Sequence, residues 1–547
     1  TGLNPPNARL HVWWARRPLT VSRAAVLGSL LPADFPREKF EKLLGFWGTS
    51  GQIIDAQVLL DHARARGVKI PNPHGDRAFK HGLPEKALRQ ADKAMQKLWG
   101  RDVTVLDPMA GGGSIPLEAA RLGLPAIANE YNPVACTVLE ATVDYPFRYG
   151  AKLGKLARKW GAVLRERFNK RMAEFYPKVG PVPPLCYIFA RTVACPDTGF
   201  QTPLVPDWHL LKPKGGGRVV VAVPLVDKDK GTWRVAIREV GSGKGRTKRI
   251  PQPTYNKGSG VSLFSPGTVI PRKYIKARAQ AGKMKSELYA VAIKAKRLEF
   301  RPPEPADLKA LRAAERKLNK LRPKWEKDNI IPTEERIRGD CDRVVAYGLT
   351  TWTSLLSSRQ LLAMGVLTEE LRVLRQEIVK AEGKELGEAV VHMLAFVLDK
   401  FENRNCNLTR WETTRHVIVG QMDRHVYATK MVFAEMAPCN AGSGLDWTID
   451  NVCDAYEKLA TLPRVENARP AEVRFGTATN LPDIPDKSIT TVVVDPPYAD
   501  NVQYCELADF FYVWLKRTQG HRRPEWFSTY LCDHSEEAVV NISRNRQ

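Results

Sequence analysis

Residues 102–135 read DVTVLDPMAGGGSIPLEAARLGLPAIANEYNPVA. A short apolar run ends on an acid, a glycine turn follows, then a helical stretch, then a second apolar run. That order specifies strand, turn, helix, strand, the repeating unit of an α/β sheet. The spacing predicts a helix over about residues 114–122, with Gly123 as its C-cap. Gly111 and Gly113 let the backbone take positive φ and come close to a ligand. The helix start offers free N–H groups and the positive end of its dipole to a carboxylate or phosphate. The spacing is not GxGxxG, which disfavours a dinucleotide fold.

Asp107 then faces a ligand that also carries an amino group, and Pro108 holds the turn beside it. Glu130, at the end of the second strand, suits a ribose diol because a carboxylate can accept from both hydroxyls. An amino acid joined to a nucleoside meets all three demands, and S-adenosylmethionine is that molecule.

A second strand end raises a related question. Residues 489–504 read ITTVVVDPPYADNVQY. Prolines stop a strand because they lack the N–H its ladder needs. Asp495, the carbonyl of Pro496, Pro497 and the ring of Tyr498 are left together at the strand's carboxyl mouth, where ligands bind in open α/β sheets. A carboxylate and a carbonyl can hold an exocyclic amine so that its lone pair points at a methyl donor. An aromatic ring can stack on the base, worth on the order of 1–3 kcal/mol. The base must first leave the duplex.

Charge gives the partner. The 547 residues carry a net +25, and residues 211–330 hold 30 Lys and Arg against 10 Asp and Glu, which leaves only +5 for the rest. A cationic block of this kind suits a polyanion, because each phosphate contact releases counterions. Lys244, Arg246, Lys248 and Arg249 lie in the stretch GSGKGRTKRIP and are expected to hold DNA by its phosphates. No apolar run reaches the roughly 18 residues of a membrane helix, and nine scattered cysteines without a CxxC pair suggest reduced, cytoplasmic thiols. No membrane partner is expected.

Four regions follow. Residues 1–145 hold an N-terminal helical segment and the first half of the sheet with its cofactor turn. Residues 146–330 form a basic insertion for nucleic-acid binding and target recognition. Residues 331–470 are helical, and 471–547 supply the second half of the sheet with the DPPY motif. Residues 305–327 carry Leu311, Ala314, Leu318, Leu321 and Trp325 at heptad spacing, a helix or coiled-coil arm. The fold class expected is α/β, a Rossmann-like sheet interrupted by a large basic insertion of mixed α+β structure.

These motifs resemble a known family. VLDPMAGGGSIPLEA and VVVDPPY are similar to motifs I and IV of amino-methylating DNA methyltransferases. LHVWWARRPLTVSRA near the start, GLTTWTSLLSSRQLLAMG at 348–365, NRNCNLTRWETTR at 403–415 and DPPYADNVQYCELADFFYVWLKR at 495–517 resemble the large prokaryotic DUF1156-type adenine-specific DNA methylases. The resemblance is weakest over residues 200–330. It implies N6-methylation of adenine in double-stranded DNA, with S-adenosylmethionine as donor, in a restriction-modification-like antiphage system with further subunits as partners. By the same resemblance Asp107, Pro108, Gly111 and Gly113 match the cofactor turn, and Glu130 the ribose acid. Asp495, Pro496, Pro497 and Tyr498 match the catalytic tetrad. Trp14 and Arg17 sit where such enzymes place a helix over the methionine end of the cofactor.

Three departures stand out. Thr477 and Ala478 occupy the place where relatives use an acid to read the cofactor's adenine, so the contact there is expected from backbone. Relatives are often described as carrying a zinc ribbon, yet Cys186, Cys195 and His209 do not make the four ligands a structural zinc needs, so no metal is expected. Such a sheet usually has seven strands and four are placed here. The rest is expected from outside these residues, on this polypeptide or another. An N4-cytosine or RNA amino-methyltransferase is the alternative enzyme, and Asp rather than Ser at 495 leans toward adenine. A non-catalytic DNA-binding or scaffold subunit is the alternative outside catalysis.

Overall fold

The computed structural model describes residues 5–46, 48–100, 102–213, 217–240, 250–440 and 442–543. The chain is mixed α/β, with one parallel sheet and several antiparallel ones. It divides into two compact units. The first comprises Thr1–Ala157, Asn451–Asn501 and Asp533–Ala538; the second comprises Arg158–Asp450, Val502–Cys532 and Val539–Gln547.

In the first unit, β1 (Val105–Asp107), β2 (Ala126–Glu130), β3 (Glu472–Phe475) and β4 (Thr491–Val492) form a parallel sheet in the order β3-β2-β1-β4. Leu106 lies opposite Ile127 on one side and Val492 on the other, and Phe475 lies opposite Glu130. Every residue of β1 is buried, as expected of an inner parallel strand covered on both faces. The chain leaves β1 toward β2, while β4 lies on the opposite side of β1. The strand order therefore reverses at β1, and the carboxyl ends of β1 and β4 flank a topological switch point. Pro496 and Pro497 cannot extend a ladder, and β4 pairs over only two residues before them.

The helix Ser114–Arg121 connects β1 to β2 and is buried at all eight positions, Glu118 and Arg121 included. The helix Leu19–Leu30 packs on it, starting after Pro18 and ending before Pro32. Glu118 joins the two. It accepts from Arg23 Nε at 2.6 Å and from Arg121 Nη1 at 2.5 Å. Arg23 Nη1 reaches the carbonyl of Leu43, and Arg121 Nε and Nη2 reach those of Pro463 and Phe79, while Arg23 Nη2 is buried without a partner among the described residues. A buried charge is tolerable only when paired and hydrogen-bonded, and this trio is both.

The second unit is built on an antiparallel sheet in the order Leu298–Arg301, Lys285–Lys294, Pro184–Ala194, Val432–Met436, with Gln201–Pro203 also pairing on Pro184–Ala194. Val219–Asp227 and Thr232–Val240 form an antiparallel hairpin. One core joins the two sheets through Ile188, Trp208, Leu210, Val220 and Tyr289. Helices Pro305–Lys327, Ser358–Glu382, Lys384–Arg404 and Tyr504–Gln519 complete the unit. On the first of these Ala314, Leu318 and Trp325 are buried, as the heptad spacing predicts. No helix among the described residues is long and apolar enough to cross a membrane.

Candidate functional site

The carboxyl edge of the parallel sheet gathers three acids: Asp107 ends β1, Glu130 ends β2, and Asp495 follows β4. Asp107 is 2% exposed and accepts one hydrogen bond, from Met109 N at 3.2 Å. Burial pushes its pKa up to about 8, and the nearby carboxylates of Glu130 and Asp495 add to the shift. A buried carboxyl without a cation is poised to take one. Glu130 is also raised, burial outweighing its hydrogen bonds. Its Oε2 accepts from Gly111 N at 2.7 Å, and its Oε1 accepts from Tyr131 N and Asn132 N, both at 2.9 Å. In this structure Glu130 thus ties the glycine turn to the loop after β2, with capacity left for a further donor.

The turn itself is tight. Gly111 and Gly113 have φ of +50° and +78°, a region that penalises side chains. A methyl group on Gly111 would meet Trp13 Nε1 at 2.6 Å, and one on Gly113 would meet Leu139 and Val143 at 3.0 Å. Pro108 O accepts from Asn129 Nδ2, which also donates to Gly476 O. Asn129 therefore clamps the ends of β1 and β3 to β2. At the helix start, Ser114 Oγ is buried without a hydrogen-bond partner among the described residues.

The N-terminal segment reaches this turn through residues the sequence reading passes over. Trp13 lies against Gly111, and Arg16 donates to Gly112 O at 3.1 Å. Trp14 stands beside Trp13, with ring centroids 5.6 Å apart. Arg17 goes elsewhere. Its Nε and Nη2 bind the two carboxylate oxygens of Asp495, Nη2 at 2.5 Å, and its guanidinium lies 5.2 Å from the Tyr498 ring centroid. Tyr498 donates its hydroxyl to Asp495 Oδ1 at 2.8 Å and is 54% exposed. Pro496 is exposed and Pro497 half-buried.

Thr477 and Ala478 follow β3 and are half-buried. Thr477 Oγ1 accepts from Thr479 N at 3.2 Å. The acidic segment Asp533–Ala538 also lies here, through Tyr131 Oη to Ser535 Oγ at 3.1 Å and Thr479 Oγ1 to Glu536 at 3.3 Å. Nothing in its local sequence marks it as part of this edge. The adjacent pairs Trp13/Trp14 and Arg16/Arg17 did carry a signal, since WWARR offers two side chains of each kind in different directions. Lys244, Arg246, Lys248 and Arg249 lie outside the described residues. Cys186 is buried in Pro184–Ala194, its thiol pushed up by desolvation. No group of three or more His, Cys, Asp or Glu that could hold a metal occurs among the described residues.

The arrangement defines an α/β protein with a polar crevice at the carboxyl edge of a parallel sheet. Residues 3–43 match a family described as a protein of unknown function, DUF1156. That stretch carries Trp13 and Arg16, which meet the glycine turn, Arg17, which meets Asp495, and Arg23, which meets Glu118. No curated protein and no solved structure matches the chain.

Proposed function

We propose that the first unit binds S-adenosylmethionine at the carboxyl edge of its sheet and that the protein methylates the N6 amine of adenine in double-stranded DNA. The observation that carries this reading is the convergence of Asp107, Glu130 and Asp495 at neighbouring strand ends, with an exposed tyrosine beside the third. The residues fit the cofactor on their own chemistry. Asp107 is a buried carboxyl with no cationic partner among the described residues and would take the ammonium group as it gives up its proton. The orphaned Ser114 hydroxyl and the helix start suit the cofactor's carboxylate. Glu130 has lone pairs left for a ribose hydroxyl.

When bound, S-adenosylmethionine supplies a methyl group on a cationic sulfur, which becomes a neutral thioether as the amine nitrogen takes the methyl. Asp495 and the Pro496 carbonyl accept the two N–H bonds of the target amine and so orient its lone pair. The proton the amine loses passes to the Asp495 carboxylate and on to water. Tyr498 stacks on the extruded base. To do this Asp495 must exchange Arg17 for the amine. Arg17 and Asp495 are partly exposed, so the exchange costs little. The cationic block at 211–330 supports DNA as the polyanion.

The test is methylation of plasmid DNA by the purified chain with labelled cofactor, mapped by long-read sequencing. N6-methyladenine at a defined motif supports the reading. Methylation of cytosine N4 or of RNA would reassign the substrate, and cofactor binding without any transfer would make the chain a binding subunit.

A further inference from the structure

The second unit contains a cavity of about 660 Å³, within the roughly 300–1,000 Å³ of small-ligand sites. Two tryptophans line it, Trp411 and Trp447, together with the cations Lys294 and Arg404, and no carboxylate does. Trp411 spends its indole N–H on Leu210 O at 2.7 Å, which fixes the ring as a wall. Trp447 is half-buried and its N–H has no protein acceptor among the described residues. The Arg404 guanidinium lies 5.1 Å from the Trp447 ring centroid and donates to Ile418 O at 2.7 Å. Neither Arg404 nor Lys294 has a carboxylate within ion-pair distance among the described residues. On the helix Leu445–Ala460, which carries Trp447, the neighbouring acid Asp446 is committed to Arg165 at 2.5 Å and to Gly442 N at 2.9 Å. His416, also on the lining, buries its Nε2 without a partner among the described residues.

A second cavity of this unit, about 530 Å³, shows what a spent cationic pocket looks like. There Arg517 pairs with Glu334, while Arg375 and His521 share Glu388. The Trp447 cavity keeps Lys294 and Arg404 without an ion pair among the described residues, Asp423 acting on Arg404 only from longer range, beside flat aromatic faces. Cations ask for an anion, and a face with a guanidinium over it asks for a planar ring. A lone phosphate would leave the open side of the indole walls without a partner, and a neutral aromatic would leave Lys294 and Arg404 without an anion.

We infer that this cavity is a binding site for a nucleoside phosphate, with the base against Trp447 and Trp411 and the phosphate toward Lys294 and Arg404. The nucleotide is either free or a single residue of a nucleic-acid strand, since both present the same base and phosphate. The inference does not depend on methyl transfer, whose residues lie in the first unit.

The test uses the full chain and the variants Trp447→Leu, Trp447→Phe and Lys294→Gln, each checked by its thermal melt. AMP, ribose 5-phosphate and inorganic phosphate are titrated by calorimetry, and a fluorescein-labelled oligothymidylate single strand by anisotropy. Trp447→Leu should weaken base-bearing probes by roughly tenfold, the scale of one stacking contact, and leave ribose 5-phosphate unchanged. Trp447→Phe should restore much of that loss, and Lys294→Gln should weaken every phosphate-bearing probe. AMP binding with this pattern identifies a free nucleotide; binding of the strand alone with the same pattern identifies nucleic acid. The inference is overturned if no probe binds the native chain, if correctly folded variants bind as the native chain does, or if inorganic phosphate competes as well as AMP. Neither Trp447→Leu nor Lys294→Gln should alter S-adenosylmethionine binding, so failure here and failure of the methyl-transfer reading are separable.

Discussion

The two halves of the crevice are built differently. The half formed by β1, the glycine turn and β2 is continuous in sequence, and its connecting helix is buried at every position. Glu130 ties the turn, through Gly111 N–H, to two N–H groups of the loop after β2, and Asn129 clamps it to β3. The half formed by β4 and the DPPY motif pairs with the sheet over two residues. Val492 and Val494 are 55% and 41% exposed, and its acid is held by side chains alone. Preorganised backbone binds a ligand at low entropic cost, whereas partners held by side chains can be exchanged. On the proposed reading, the first half suits a constant ligand and the second the release of one partner for another.

The largest expected effect sharpens this contrast. Asp495→Ala should reduce methyl transfer by on the order of 10²–10⁴-fold, the usual yield of a positioned acid–base group. Cofactor affinity by calorimetry should hold, because Asp495 belongs to the exchangeable half. Equal loss of both would show that the halves act as one. Next comes the support beneath the turn. Glu118→Ala strips the partner from two buried arginines and should cost about 3–5 kcal/mol in denaturant unfolding. A loss under about 1 kcal/mol would mean that the carbonyls of Leu43, Pro463 and Phe79 suffice, and that the turn is less firmly founded than its burial implies.

The same contrast governs what the sequence shows. The turn half is legible because its signals are local: β-branched runs, glycines where φ must be positive, acids at strand ends. Asp107, Glu130 and the helix Ser114–Arg121 all follow from spacing. The partners of Asp495 are not local. Arg17 precedes it by most of the chain, and no periodicity connects them. The Arg23–Glu118–Arg121 trio is equally hidden, since each residue alone reads as a solvated helical charge. Asn129, one position before Glu130, reads as an ordinary strand residue until Pro108 and Gly476 are seen on either side of it.

A third expectation concerns pH. Asp107 has a pKa of about 8 in the fold against 3.8 as a free side chain, raised chiefly by burial. The folded protein therefore favours the protonated form. Its contribution to stability is complete below about pH 4 and is lost as pH rises through about 8. An ammonium-bearing ligand reverses the preference. Below about pH 8 it must displace a proton, so affinity for S-adenosylmethionine should climb by up to about tenfold per pH unit. The ligand's own α-amino group ionises at about 7.7–8.0 and sets the falling side. Asp107→Asn should flatten the rising limb in calorimetry, lower the maximum affinity, and raise the ligand-free stability at pH 8. An unchanged rising limb would take Asp107 out of the ammonium site.

The smallest expected effect probes the boundary between the halves. Arg17 presents N–H donors to the carboxylate of Asp495 and a planar face near Tyr498. On the proposed reading those are the two contacts asked of the target's amine and base, so Arg17 would occupy the place the base takes. Its side chain is 38% exposed and that of Asp495 22%, which limits the pair to about 0–1 kcal/mol. Arg17→Gln keeps the length and removes the charge. It should lower KM for DNA by up to about fivefold, the equivalent of about 1 kcal/mol. S-adenosylmethionine affinity should not move, because Arg16 and Trp13 hold the glycine turn. The opposite pattern, weaker cofactor binding with KM for DNA unchanged, would return Arg17 to the methionine end of the cofactor. The division between a fixed half and an exchangeable half would then fail at the residue that touches Asp495.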